Sequence, residues 1–329
     1  MNPDKRYQLL KRWVEKSINS SGIQIESINV DASFRSFFRF MDEGVSYVIM
    51  DSPPDKENNE QFILISEILE KMKIPSSRVL KKNLSMGFLL LNDLGPRTLL
   101  QKDLLEKSNR YNLYKETIDT LLLIQKNGIC YQDQLPLYDE DLLNDEMNLF
   151  LDWYCIKELE MDRRKIRESN LEKSFKHLSN RALNQKQVFV HRDFHSRNII
   201  ISDIGKIGVV DFQDAVLGPI TYDLVSLLRD CYIEFPQKEI QYWLKQVYQK
   251  LKNEGIIDLT YGEFEIDFDL MGCQRHLKAI GIFSRLKHRD GKPNYMKDVP
   301  RTLNYLRKVS KKYDFLNPLH NFVTLTVSK

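Results

Sequence analysis

Val188-Phe189-Val190-His191-Arg192-Asp193-Phe194-His195-Ser196-Arg197-Asn198 is the stretch on which the reading of this chain turns. A short apolar run of strand type hands on to a polar loop with the pattern H-R-D-x-x-x-x-N. Thirteen residues after Asn198 stands Asp211, in Val209-Val210-Asp211-Phe212-Gln213, where a second apolar run delivers an aspartate to a loop. Phosphoryl transfer needs a carboxylate that accepts or orients the attacking hydroxyl, and hard oxygen ligands that hold Mg²⁺ against phosphates. Two carboxylates and an amide on loops flanking a small hairpin meet both needs. The expectation is therefore that Asp193 is a catalytic base and that Asn198 and Asp211 are magnesium ligands, with ATP as phosphoryl donor. An isolated Asp-x4-Asn would more often cap a turn; the His-Arg prefix, the flanking strands and the later Asp together argue for chemistry.

Working outward, Leu10, Trp13, Val14 and Ile18 recur at helical spacing and predict an opening amphipathic helix packed on a core. Residues 22–50 read as strands, with Ile23 and Ile25 alternating with polar residues and Tyr47 to Met50 forming an apolar run. A helix is expected near 58–72, and Gly87 to Leu91 is another buried strand. Asn92-Asp93-Leu94-Gly95-Pro96 breaks the pattern. Beyond it Tyr114, Ile118, Leu121 and Leu122 fit a helix, and so do Leu143, Met147, Phe150, Leu151 and Tyr154. Strands return over 187–211, with Asp203-Ile204-Gly205 as a turn, and helices resume at Thr221 as N-cap. The order predicts an α+β, protein-kinase-like two-lobed fold, with a β-rich N-terminal lobe over 1–92 and a mainly helical C-terminal lobe over 93–329.

Composition excludes several classes. The 49 basic and 46 acidic residues are interspersed and leave a net charge of +3, without the basic stripe of a nucleic-acid binder. Lys157 to Arg167 and Arg307 to Lys312, the nearest candidates, are interrupted and read as solvated helix faces. No stretch approaches the ~18 apolar residues of a membrane span, and Met1 to Lys16 is charged rather than leader-like. Cys130, Cys155, Cys231 and Cys273 form no close pair, so free thiols in a reducing cytoplasm are expected. No obligate protein partner is indicated.

With those residues in view, the chain resembles the aminoglycoside phosphotransferase family, the small-molecule branch of the protein-kinase-like fold. The resemblance assigns Asp193, Asn198 and Asp211 the roles given above, and implies that Asp223 anchors the backbone of the catalytic loop. It narrows toward bacterial anomeric kinases acting on N-acetylmuramate and N-acetylglucosamine. Asp31-Ala32-Ser33-Phe34-Arg35 with Phe37-Phe38-Arg39, Asp211-Phe212-Gln213-Asp214-Ala215, and the block Gln274-Arg275-His276-Leu277-Lys278 through His288-Arg289-Asp290-Gly291-Lys292 are similar to that group. The implied reaction is ATP-dependent phosphorylation of the C1 hydroxyl of an amino sugar in cell-wall recycling, with ATP between the lobes.

Two departures from the wider kinase pattern stand out. The strand that should carry a phosphate-pairing lysine ends in Asp51, and Asp31 to Ser36 replaces a Gly-rich loop. A cation is still wanted near the phosphates, so Arg35 and Arg39 are candidates, with Ser33, Phe34 and Ser36 beside them; their plainer reading is a surface hairpin. The hinge Leu91-Asn92-Asp93 is expected to offer backbone groups to adenine, by the same resemblance. His195 and Arg197 are candidates for contact with substrate or phosphates, or for loop support. Arg275, His276 and Arg289 are candidates for the acceptor, since a bidentate Arg suits the carboxylate of an acid sugar; their plainer reading is helix-surface charge. Glu146 is a candidate for a sugar hydroxyl, with solvent exposure its plainer state. The alternatives are a related kinase for an aminoglycoside, choline, a hydroxylated amino acid or another sugar, and a nucleotide-binding regulator without catalysis.

Overall fold

The structure, a computed structural model, describes residues 3–28, 34–101, 107–202 and 205–327. In chain order these form α1 (Pro3–Ile18), β1 (Glu26–Ile28), β2 (Ser36–Asp42), β3 (Val45–Asp51), α2 (Asn59–Lys71), β4 (Val79–Asn83), β5 (Phe88–Asn92) and β6 (Arg97–Thr98). Then come α3 (Lys107–Asn127), α4 (Glu140–Leu149), a π-helix (Phe150–Glu158), α5 (Arg163–Glu168), α6 (Leu171–Leu183), β7 (Gln187–Val190), β8 (Ile199–Ile201), β9 (Ile207–Val209) and β10 (Val216–Pro219). The chain finishes with α7 (Tyr222–Leu228), α8 (Gln237–Asn253), α9 (Tyr261–Asp290), α10 (Val299–Ser310) and α11 (Asn317–Val327). It divides into two compact units, Met1–Leu99 with Asn198–Asp214, and Leu100–Arg197 with Ala215–Lys329.

In the first unit, β1-β2-β3-β5-β4 make an antiparallel sheet, with Phe40 opposite Tyr47 and Ile49 opposite Leu90. Alternation along β2 and β3 turns Phe40 and Ile49 to the face where α1 lays Leu10 and Val14, and Ile23, Phe88 and Leu90 close that cluster. Ile23 is thus buried as predicted, but from an irregular segment, since the strand begins only at Glu26. A second small sheet, β6-β8-β9, belongs to the same unit and presents the loops around Asn198 and Asp211. The predicted turn at 203–205 keeps Gly205 in the left-handed region (φ +77°), while Asp203 and Ile204 lie outside the described residues.

The second unit is helical around α9. This helix opens with a capping box in which the Thr260 side chain accepts from Glu263 N–H and the Glu263 carboxylate accepts from Thr260 N–H. It ends at Gly291 in the left-handed conformation (φ +65°). Its apolar face meets α4, the π-helix, α6 and α10 through Leu270, Leu277, Ile280 and Phe283. The π-helix and β10 were not anticipated; β10 pairs antiparallel with β7, placing Val216 opposite Val190. Thr221 does precede α7, but its hydroxyl bonds Gln185 Oε1 at 2.8 Å and caps nothing. Among the described residues no helix is long and apolar enough to cross a membrane.

Gly281 sets how closely α9 approaches the junction of α4 and the π-helix. A Cβ there would lie 2.4 Å from Leu149 C and 2.6 Å from Phe150 N, which are backbone atoms that no rotamer change can move. Gly281→Ala is therefore expected to destabilise the protein by about 1–3 kcal/mol through overpacking, read as a lowered denaturant midpoint.

Candidate active site

The loop that follows β7 has neither helix nor strand to satisfy its backbone, so side chains do it. Asp223, at the start of α7, accepts from the amides of His191 (2.6 Å) and Arg192 (3.1 Å). Asp230, just beyond α7, accepts from the amides of Ser196 (2.8 Å) and Tyr232 (2.7 Å). Between these anchors Asp193 N–H donates to His191 Nδ1 and His195 N–H donates to the Asp193 carbonyl. The loop also holds Arg192 at φ +74°, a conformation costing a non-glycine residue about 1–3 kcal/mol. Asp223 anchors the loop as the resemblance implied; Asp230 does so equally and was not singled out. Burial pushes the Asp223 carboxyl up to about 7, against the pull of its two amide donors.

Asp193 lines a cavity of about 70 Å³ in the second unit together with His195, Cys231, Tyr232, Arg275 and Lys278, closed on the apolar side by Ile282 and Phe283. Desolvation alone would raise its carboxyl, but Lys278, His195, Arg275 and Arg192 together hold it well below the usual carboxylate range. Desolvation also lowers the His195 imidazole, which is therefore neutral near pH 7, so the cations acting on Asp193 are Lys278, Arg275 and Arg192. Arg197 stacks its guanidinium on Tyr232 (4.2 Å) and Tyr295 (5.2 Å), which fits loop support.

Beneath this cavity Glu146 corrects the expected solvent-exposed state, because it is 4% exposed. Its carboxylate accepts from Arg192 Nη2 (2.5 Å), Lys278 Nζ (3.0 Å), Gln274 Nε2 (3.0 Å) and the Tyr138 hydroxyl. Desolvation raises its carboxyl, yet the charges of Lys278 and Arg192 carry the balance downward and keep it ionised. Lys278 also donates to the Tyr222 hydroxyl at 3.0 Å. Lys278 was quoted in the resemblance block but not nominated for the site. The signal that could have found it is its spacing from Arg275, three residues on and so on one helix face.

The other late-helix candidates separate. Arg275 is buried rather than a surface charge, and it lines the cavity with Asp193. His276, also fully buried, faces away: its Nε2 lies 3.0 Å from the Arg229 carbonyl and its ring stacks on Tyr305. Burial takes it down to about 3, so it is neutral and structural. Arg289 sits at the exposed end of α9, paired with its neighbour Asp290 at 2.8 Å.

In the first unit, Asn198 and Asp211 meet at the mouth of the β8–β9 hairpin. Asn198 Nδ2 is 3.3 Å from Asp211 Oδ2, and Val210 N–H donates to the Asn198 carbonyl. Asp211 is held at φ +62°, the second strained non-glycine residue in a candidate site. Gln213 Nε2 steadies its other oxygen at 3.1 Å. One carboxylate and one amide side by side suit Mg²⁺, which is commonly bound by one or two protein carboxylates with water and phosphate completing the octahedron.

The expected phosphate cations are committed elsewhere. Arg35 is buried and pairs with Glu57 at 2.7 Å. Arg39 makes a two-point pair with Asp93 (2.5 and 3.0 Å), which also accepts from Ser46 and Gly95 N–H. Desolvation raises the Asp93 carboxyl, but Arg39 and its other donors outweigh that and hold it low. Asn92 Oδ1 accepts from Arg78 N–H, and Leu91 is buried in β5. Phe34 is exposed beside the Lys56 ammonium, Ser36 opens β2 opposite Asp51, and Ser33 lies outside the described residues. Asp51, where the strand lysine would stand, is bound by Arg6 of α1.

Over 317 residues, 93% of this chain and 92% of the relative, the protein is 38% identical to the N-acetylmuramate/N-acetylglucosamine kinase of Pseudomonas putida. It is likewise 38% identical to the protein of that name from Neisseria meningitidis serogroup B, covering 94% of this chain and 93% of the relative. Among solved structures, an ADP-bound aminoglycoside phosphotransferase, APH(2'')-Ib, aligns with a TM-score of 0.61 at 14% identity, over 93% of this chain and 98% of that one. An ethanolamine kinase from Plasmodium vivax aligns at 0.64 with 16% identity, over 91% and 86%. These structural likenesses show the fold, which is the α+β protein-kinase-like one expected from the 188–213 stretch. The model of the phosphotransferase enzyme family (APH) matches residues 24–251, and on that match and those identities the chain belongs to this family of phosphotransferases.

Proposed function

We propose that this chain is an ATP- and Mg²⁺-dependent kinase of the anomeric C1 hydroxyl of N-acetylmuramate and/or N-acetylglucosamine, acting in cytoplasmic recycling of cell-wall sugars. The observation that carries the chemistry is Asp193: a carboxylate kept ionised by Lys278, Arg275 and Arg192, on a loop pinned at both ends. The substrate class is supported by the relatives that share more than a third of their residues over nine-tenths of the chain. On this reading residues 1–92 serve nucleotide binding, and 93–329 serve catalysis and the acceptor.

Asp193 accepts the hydrogen bond of the C1 hydroxyl and points its oxygen at the γ-phosphorus of ATP. As the oxygen–phosphorus bond forms and the bond to the leaving ADP oxygen breaks, the hydroxyl proton passes to Asp193. A carboxylate held so far below its usual range is a weak base. Its contribution is mainly orientation, with proton transfer late, which suits a loose transition state that demands little nucleophile activation. Asn198 and Asp211 would hold Mg²⁺ through their side-chain oxygens. When bound, the metal supplies charge neutralisation at the phosphates. The Glu146 carboxylate holds Arg192 and Lys278 in place, and so fixes two of the charges that keep Asp193 ionised.

Asp193→Asn is expected to lower kcat on N-acetylglucosamine by about 10³-fold, within the range of a positioned acid–base group, with the circular dichroism spectrum unchanged. Near-wild-type ADP release by that variant would sink the assignment. Asp211→Asn is expected to raise the Mg²⁺ concentration required for half-maximal rate by at least about 10-fold, since a carboxylate ligand is lost; an unaltered Mg²⁺ titration would remove Asp211 from the metal. Turnover confined to an aminoglycoside or choline, in parallel assays, would keep the mechanism and replace the acceptor.

A further inference from the structure

Three cations that are buried or largely buried in the second unit are paired to carboxylates. Arg192 and Lys278 have Glu146, and Arg229 has Asp269. Arg275 has no such ion pair among the described residues. It is 4% exposed, its Nε has no hydrogen-bond partner, and its polar contact is the Cys231 sulfur at 3.7 Å. A thiol is a poor partner for a guanidinium, and the carboxylates that act on this one, Asp193 and Asp230, do so without forming an ion pair with it, so burial leaves its donors poorly compensated. A fork of N–H donors held so close to the candidate base is set for an anion that arrives with the substrate.

The cavity indicates which anion. All of its lining, Arg275, Asp193 and Lys278 included, comes from the second unit, the one that holds the acceptor's candidate base. The candidates for the phosphate side, Asn198 and Asp211, belong to the other unit. Its volume of about 70 Å³ corresponds to about two waters at ~30 Å³ each, enough for part of a sugar's substituent and too little for a sugar ring. Ala279, Ile282 and Phe283 give it an apolar wall suited to a methyl group. N-acetylmuramate differs from N-acetylglucosamine by a lactyl ether on C3, which is a methyl and a carboxylate on one carbon, two bonds round the ring from C1.

We propose that Arg275 is a specificity-determining residue that donates a bidentate pair of hydrogen bonds to the lactyl carboxylate of the acid sugar. This rests on the amino-sugar reading above. N-acetylglucosamine brings no such group and leaves the guanidinium to water in the cavity. The same cation could instead serve transferring phosphoryl oxygens, and in that case both sugars would depend on it equally.

The test is steady-state kinetics of the full chain with Mg²⁺ and ATP on both sugars, for the wild type and Arg275→Gln. The ratio of kcat/KM for N-acetylmuramate to that for N-acetylglucosamine is expected to fall by about 100-fold, the scale of a lost hydrogen-bonded charge pair. In the wild type, the methyl ester of N-acetylmuramate should be disfavoured against the free acid by a similar factor, and that arm stands even if the variant does not fold. An unchanged ratio, or an ester turned over as well as the acid, overturns the role of Arg275 and leaves the amino-sugar reading intact. Wild-type protein that turns over neither sugar overturns both.

Discussion

The backbone amides of His191, Arg192, Ser196 and Tyr232 have to be satisfied without a helix or a strand, and the second unit of this protein is arranged around that need. Asp223 and Asp230 flank α7 and each accept from two amides, so one short helix fixes both ends of the loop. The helix is itself fully buried, and its flanks are tied to α9 through Arg229 and Asp269 and to the segment between α6 and β7 through the Thr221–Gln185 bond. A loop pinned in this way can keep Arg192 in a left-handed conformation and present Asp193 in one orientation. Orientation is the larger part of what a weak carboxylate base contributes to phosphoryl transfer.

The electrostatics follow from α9. A thirty-residue helix buried along most of its length would ordinarily be apolar all round, yet this one buries Gln274, Arg275 and Lys278 within two turns. Burying such groups is costly unless they are partnered, and two of the three are. Glu146 answers Lys278 and Gln274, and it reaches Arg192 as well. The result is a cluster in which removing Glu146 would strand two buried cations and loosen the field that holds Asp193 ionised. Stability and the charge state of the candidate base are therefore set by the same contacts.

Much of this was legible in the sequence, for reasons that differ by residue. The 188–213 stretch could be read because apolar runs of period two and a polar loop of fixed spacing are local signals. The paired strands and the strained Asp211 stand where that pattern put them. Asp223 was legible through resemblance. Asp230 was not, because an aspartate after a helix looks the same whether it binds a loop amide or water. Glu146, Arg275 and His276 were candidates for the acceptor whose plainer reading was a surface position, and that plainer reading fails for one shared reason. Local charge patterning assumes that ionisable residues face water, and burial is decided by tertiary packing that one helix cannot announce. The π-helix left no mark in the apolar spacing, since Phe150, Leu151 and Tyr154 also fit an α-helical stripe.

The first unit bears on the absent strand lysine. Arg35 and Arg39 were the natural substitutes, and each is held by a carboxylate: Glu57 for the buried Arg35, and Asp93 in a two-point pair for Arg39. For the buried Arg35, withdrawing its partner costs about 3–5 kcal/mol, more than one added phosphate contact is expected to return; the part-exposed Arg39 pair costs less. Both arginines are thus engaged by carboxylates within the first unit, and Asp51 takes Arg6 from α1 where a lysine would otherwise stand. On the proposed reading, neutralising the phosphates falls to the metal at Asn198 and Asp211. Rate should then depend steeply on Mg²⁺, while changes at Arg35 and Arg39 should register first in stability.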